Sequence, residues 1–478
     1  MRAPHFTQVT NVPGAADDLN GDANKATITP ESIAARIESL PSSRWNLRIA
    51  VLLGAATFFD AFDALTVAFI MPSILLEWHL STISAAWLVA AGYAGQAVGA
   101  VTIGALAERY GRVPVLVGAI ASLGVCSLIC ALADNSLQLM LARFAQGVGL
   151  GGEVPVAAAY LSEMIRSDRR GKVFMLYQST FGIGIVGASI AGSLIVPHFG
   201  WRAMFVVGCI PIALACVIGR ICPESPRWLA NKGKLLHADR VMRRIEGQVS
   251  QDHPGLHVPL QVQVSRDGPS KPLRQGWATL FSDIYLKRTA AICCLWITAY
   301  ACTYAITIWV PTLLTRVYGV GLQTALNLSI ITNAAGSLGV CSLALFVDRV
   351  KRRSIFAGGF AATVLLLFIL AALRNPGLAV TIGGLALALF FLFILTSSLY
   401  LYTPELYPTR VRALGTGFAS FCLRVTAVLT PFGMGVLVQR GKPALIYFVL
   451  ACIAGIGALV CFFWSVETSG RRLEEVSP

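Results

Sequence analysis

The sequence predicts an all-α polytopic membrane protein with twelve transmembrane helices in two six-helix halves. Three observations carry that expectation. Apolar residues make up 56% of the 478 residues and charged residues only 13%, against roughly 25% charged in a soluble domain. The apolar residues gather in twelve runs, most of them longer than the roughly 20 residues that cross about 30 Å of hydrocarbon. A long polar stretch divides those runs six and six. The profile excludes a disordered chain, a disulfide scaffold and an ordinary soluble enzyme. It also excludes an outer-membrane barrel, whose strands alternate apolar and polar residues.

In chain order, residues 1–44 are polar, with scattered Pro, Asp and Asn, and read as a flexible tail with no signal-peptide core. The first half, 45–221, holds apolar runs at about 46–72, 83–106, 114–133, 136–165, 173–196 and 201–221. Residues 222–288 form a linker loop, in which 238–245 reads as a short basic amphipathic helix lying along the membrane surface. The second half, 289–466, has runs at about 289–314, 322–347, 354–373, 377–403, 414–438 and 443–465, and 467–478 is a short tail.

A net charge of +14 raises nucleic acid as a partner, but the positive residues sit where a membrane protein keeps them. Leaving the long linker aside, the even-numbered loops carry 12 Lys and Arg and the odd-numbered loops 5. Even loops, linker and both termini are therefore expected in the cytoplasm. The twelve Cys lie mostly inside apolar runs without a Cys-x-x-Cys pair, as packing residues do. No Walker loop, zinc motif or Ser-His-Asp pattern is present. Neither metal nor cofactor is expected, and ATP is not the energy source.

The halves repeat. Glu108-Arg109-Tyr110-Gly111-Arg112 precedes the third run, and Asp348-Arg349-Val350-Lys351-Arg352 precedes the ninth, 240 residues later. Tyr160-x-x-Glu163 ends the fourth run and Tyr402-x-x-Glu405 the tenth, 242 residues later. Such a duplication places a transport site between the halves near the membrane midplane.

Three motifs carry a resemblance. Gly104 to Arg112 resembles the loop signature of the major facilitator superfamily, with Glu108 for the usual Asp and Val113 for a usual basic residue. Pro223-Glu224-Ser225-Pro226-Arg227-Trp228-Leu229 resembles a segment of its sugar porters and organic-ion transporters. Arg143 to Pro155, with Tyr402 to Arg410, resembles bacterial metabolite:proton symporters of the nicotinate and aromatic-acid groups. The resemblance spans about residues 45–470. The polar Gln-Gln-x-Ser-Gly-x-Asn run of sugar porters is replaced by Cys293 to Tyr300, so a sugar is not expected.

Charges inside apolar runs are costly and mark function. Asp60 and Asp63, at i and i+3, share a side of the first helix. Protonation would relieve the cost of burying them, so both are candidate proton carriers; the aromatic-acid symporters show a similar Asp-x-x-Asp. The alternative is a structural pair bonded to Arg143 or to backbone. Arg143 and Glu153 are ten residues apart on one helix, about 15 Å, and so need partners elsewhere. The resemblance associates Arg143 with proton coupling. Glu153 is either a coupling acid or part of a packing kink at Pro155, which frees a carbonyl near residue 151.

Arg424 is the one deep basic residue of the second half. A guanidinium fits a carboxylate bidentately, and in related organic-ion transporters a basic residue here goes with anionic substrates. Its alternative is to cap carbonyls. Trp296, Tyr300 and Tyr304 form one stripe, with Tyr177, Gln178, Asn333 and Tyr400 as further candidate substrate contacts; the alternative for these aromatics is helix packing or an interfacial belt. Glu108, Arg112, Glu163 and Arg170, and in the second half Asp348, Arg352, Glu405 and Arg412, are expected to form a cytoplasmic gate. The expected function is proton-coupled uptake of a small carboxylated aromatic or heteroaromatic metabolite across the inner membrane, by a monomer with no catalytic residue. A proton-driven exporter and a substrate sensor on the same fold are the alternatives.

Overall fold

In the computed structural model, residues 28–41, 43–166, 170–252, 281–346, 350–373, 376–407 and 412–467 are described. They form helices and no strand. In the first half these are α2 (Arg44–Glu77), α3 (Thr82–Tyr110), α4 (Arg112–Ala131), α5 (Ser136–Met164) and α6 (Arg170–Phe199). The sixth span is two pieces, α7 (Arg202–Val207) and α8 (Ile210–Ile221), broken just before Pro211. The second half comprises α11 (Asp283–Arg316), α12 (Leu322–Phe346), α13 (Arg352–Ala372), α14 (Leu378–Glu405), α15 (Arg412–Gln439) and α16 (Pro443–Trp464).

Among the described residues, eleven helices are long and apolar enough to cross a membrane. The twelfth span, α5, has the length at 29 residues. Its hydropathy is reduced by the residues the site needs, Arg143, Gln146 and Glu153. The fold is the expected twelve-helix membrane bundle.

The duplication is visible in the packing. Within the first half α2 packs on α6, α3 on α5, and α4 on both α5 and α8. Each pairing recurs in the second half as α11 on α15, α12 on α14, and α13 on α14 and α16. The halves meet through α3 against α15, α6 against α12, and α2 against α11. The first two contacts are the same contact with the halves exchanged, as a two-fold repeat requires.

Small residues set the closest approach. A Cβ added at Gly95 or Gly99 of α3 would collide with the carbonyls of Phe144 and Val148 on α5. One added at Gly147 or Gly151 of α5 would strike the carbonyls of Gly92 and Gln96 on α3. These glycines let the two backbones touch, as close packing between membrane helices demands.

Two features differ from the sequence expectation. The expected tail contributes a helix, α1 (Pro30–Ser39), started by a Thr29–Ser32 capping box with Pro at its first turn. The linker supplies α9 (Pro226–Asn231) and α10 (Leu235–Asp252). The apolar face of α10 does not lie on the membrane surface. Ala238, Met242, Ile245 and Val249 are buried in a cluster with Ile33 and Ile37 of α1. Arg36 clamps the two helices, donating to Glu246 at 2.6 and 2.7 Å and to Asp239 at 2.7 Å. A second amphipathic helix, unseen in the polar tail, covers the stripe that lipid would otherwise cover.

Candidate transport site

The two acids of α2 share one side of the helix but meet different surroundings. Asp63, 4% exposed, is fully engaged. It accepts from Arg143 Nη1 at 2.8 Å and from Gln146 Nε2 at 2.7 Å, both on α5. Arg143 also donates to Gln146 Oε1 at 2.7 Å, and Gln146 to Ser127 Oγ of α4 at 3.1 Å. Phe205 lies 6.0 Å beneath the guanidinium. The network is a buried, compensated ion pair with its second carboxylate oxygen satisfied.

Asp60, 7% exposed, has no hydrogen bond or ion pair among the described residues. It faces a cavity of about 170 Å³ between the halves. The first half contributes Asp60, Tyr93 and Gln96, and the second Tyr300, Tyr304, Tyr400 and Arg424. A cavity of roughly 150 Å³ holds benzene, so the space suits one ring with small substituents. Its aromatic wall is continuous: Tyr93 to Tyr304 is 5.1 Å between centroids and Tyr300 to Tyr304 is 5.6 Å.

Arg424 crosses from α15 to the other half, donating to Gln96 O at 3.3 Å and Gly151 O at 3.4 Å. The second acceptor has a local cause. Pro155 lies inside α5 and lacks the N–H that would bond Gly151 O. Two long bonds to neutral carbonyls occupy two of five guanidinium donors, and the residue still lines the cavity.

Glu153, 2% exposed, is buried on α5 with neither carboxylate oxygen reaching a hydrogen-bonding partner. Thr57, Asp60 and Tyr177 are its polar neighbours. Trp296 stands behind the cavity wall, stacked on Tyr300 at 5.4 Å and donating to Thr403 Oγ1 at 2.9 Å. Asn333 lies in the seam between halves, donating to Ser189 Oγ at 3.0 Å. The Gln178 side chain lies outside the described residues.

At the linker side each half closes its own cluster. Arg112 donates to Glu108 at 2.8 Å and Glu163 at 2.9 Å. In the second half Arg352 pairs with Glu405 at 3.4 Å. Asp348, and the side chains of Arg170 and Arg412, lie outside the described residues. Glu224 accepts from the backbone N–H of Arg112 at 3.0 Å and of Val113 at 3.4 Å, and so caps α4; it also accepts from the N–H of Ser225 at 2.8 Å. Burial pushes its carboxyl above the ordinary range, against backbone donors that hold it down. Glu467 repeats the arrangement on the N–H of Arg352 at 2.9 Å and of Arg353 at 3.2 Å. Tyr160 OH donates to Pro223 O and Tyr402 OH to Val466 O, each at 2.7 Å.

Sequence reasoning assigned no role to Tyr93, Gln96 or Gln146. Gln146 was within reach, one turn from Arg143 in the same motif. Tyr93 and Gln96, at i and i+3, share a face of α3.

Two duplicated six-helix halves around a central cavity, with charged groups held at its wall, define a membrane transporter. The chain belongs to the sugar (and other) transporter family of the major facilitator superfamily, whose model matches residues 29–478. The niacin transporter NiaP of Acinetobacter baylyi is 30% identical over 451 residues, 93% of this chain and 99% of that one. The 4-hydroxybenzoate transporter PcaK of the same organism is 28% identical over 441 residues, covering 90% and 93%. The proton:xylose symporter XylE bound to 6-bromo-6-deoxy-D-glucose shares the fold, with TM-score 0.69 and 18% identity over 91% of this chain and 99% of that one.

Proposed function

We propose that this transporter couples proton entry to uptake of a small carboxylated aromatic or heteroaromatic metabolite across the inner membrane. Both termini and the 222–288 linker are then cytoplasmic, as the loop charges favour. One observation carries the reading: a ring-sized cavity between the halves has an acid from one half, Asp60, and a guanidinium from the other, Arg424, on a tyrosine wall. Relatives named for niacin and 4-hydroxybenzoate transport fit a substrate of that class. Asp60, Asp63, Arg143 and Glu153 serve the proton, and Arg424 with Tyr300, Tyr304 and Tyr400 holds the substrate. Trp296 and Asn333 support that wall and the seam, Gln178 remains a candidate contact, and the two linker-side clusters act as gates.

The test is uptake into proteoliposomes of nicotinate, benzoate, 4-hydroxybenzoate, nicotinamide and xylose, with and without an inward proton gradient. Accumulation of at least one of the carboxylates, and only with the gradient, is expected. Accumulation of xylose, or of none of these compounds, overturns the reading.

A further inference from the structure

We infer that Asp60 alone carries the transported proton, and that Asp60 and the substrate carboxylate take turns as counter-ion to Arg424, which makes transport electroneutral. The inference rests on the proposed proton-coupled uptake and deepens it. Its starting point is that the two acids of α2 are not equivalent. Asp63 is bound on both oxygens by Arg143 and Gln146. Protonating it would strand Arg143, itself 5% exposed, as an uncompensated buried cation. Asp60 has no such partner and shares the cavity with Arg424.

Groups on every neighbouring helix bear on Asp60. Besides Asp63 and Arg424 these are Tyr93, Glu153, Tyr177, Tyr304 and Tyr400. Among the described residues Arg424 is the one cation facing it. Among the described residues no cation reaches Glu153, so an ionised Glu153 would be an unpaired charge, and it counts as neutral. The tyrosines are neutral.

The charges then close two ways. With the cavity empty, ionised Asp60 balances Arg424. With substrate bound, the carboxylate balances Arg424 and Asp60 must hold a proton, or two anions would share one cation. Entry therefore forms one O–H bond at Asp60 and seats one carboxylate on Arg424. Release breaks both contacts on the other side. The carbonyls of Gln96 and Gly151, held at 3.3 and 3.4 Å, are weak acceptors that a carboxylate displaces from the guanidinium. Loaded and empty carriers bear the same net charge, so one proton and one monocarboxylate cross together.

The experiment uses the full chain in proteoliposomes, with nicotinate as probe. A proton gradient at zero potential should drive accumulation, and a potassium-diffusion potential of either sign should leave the initial rate unchanged within twofold. Nicotinate affinity should fall about tenfold per pH unit once Asp60 is ionised, the slope of one linked proton. Asp60→Asn mimics the loaded acid. It should bind nicotinate independently of pH and keep nicotinate–nicotinate exchange while losing accumulation. That exchange shows the variant is folded.

A rate that rises severalfold with internal negative potential overturns electroneutrality while leaving proton-coupled uptake standing. Loss of pH dependence in Glu153→Gln with its retention in Asp60→Asn moves the proton to Glu153 and overturns the role given to Asp60. If wild type fails to accumulate nicotinate but accumulates another carboxylate, the same potential and pH measurements on that compound decide the inference by the same outcomes. If no carboxylate accumulates, it is the proposed function that fails.

Discussion

Pro155 and Arg424 belong to different halves, yet one explains a partner of the other. The proline removes a donor from Gly151 O, and the arginine supplies one at 3.4 Å. A cation held by neutral carbonyls is poised for a better acceptor, which a substrate carboxylate provides. Arg424→Lys keeps the charge but loses the planar fork, so substrate affinity should fall without vanishing. Arg424→Ala should cost about 2–5 kcal/mol, roughly 30-fold or more in affinity. An amide such as nicotinamide should bind wild type weakly and lose little more in the Ala variant, and that non-additivity is measurable as a double cycle of variant and ligand. Equal losses for acid and amide would make Arg424 structural. The sequence announced these charges because lipid penalises them, and Asp60, Asp63, Arg143, Glu153 and Arg424 all stood out on that ground. A pairing of Arg143 with one of the two acids, and carbonyl capping by Arg424, were among the expectations, and both contacts are present; which acid Arg143 takes was not legible. One turn of helix separates Asp63 from Asp60, and only packing decides that one meets α5 and the other the cavity.

At the scale of elements, the linker segment after α8 is a cap for another helix. Glu224 closes the N-terminus of α4 through the backbone N–H groups of Arg112 and Val113, and Tyr160 pins the adjoining carbonyl of Pro223. Gly111, with φ of 117°, makes the turn that presents those N–H groups. Glu224→Ala should destabilise the fold by about 0.5–2 kcal/mol, the usual loss for a cap, read as a lower melting temperature in detergent. Ligand affinity of the folded fraction should be unchanged. A variant as stable as wild type would show the cap is redundant. The Glu467 counterpart escaped the sequence reading because Val466-Glu467 shares only its acid with Pro223-Glu224, while the arginines and tyrosines repeat at nearly fixed offsets. The α1 helix escaped for a different reason. Ile33 and Ile37 are too few to mark a helix in a polar tail until the apolar face of α10 is known to need a cover.

For the whole molecule, the spans and their division into halves were legible because composition and length decide them, whereas the conformational state is a property of contacts between halves. Among the described residues, hydrogen bonds between the halves include a set on the side away from the linker. Thr82 at the start of α3 donates to Gly435 O near the end of α15 at 2.8 Å, and Gln323 at the start of α12 donates to Ser193 O near the end of α6 at 2.9 Å. The two pairings are related by exchanging the halves, so they form one symmetric seam. Alternating access requires the seam to part, and these two bonds reach main-chain oxygens, which makes them exchangeable for water at modest cost. A bridge across it should therefore trap the protein with its cavity reachable only from the linker side. Ser193→Cys with Gln323→Cys, in a background whose native cysteines are replaced, should be joined by a short bismaleimide. Cross-linked protein should lose uptake while detergent-solubilised samples still bind nicotinate with affinity within a few-fold of the unlinked variant. Each single-cysteine variant, treated with the same reagent, should keep transporting. If the cross-linked protein still carries substrate through the membrane, the seam does not open during the cycle, and the halves do not rock about the central cavity as the duplication implies.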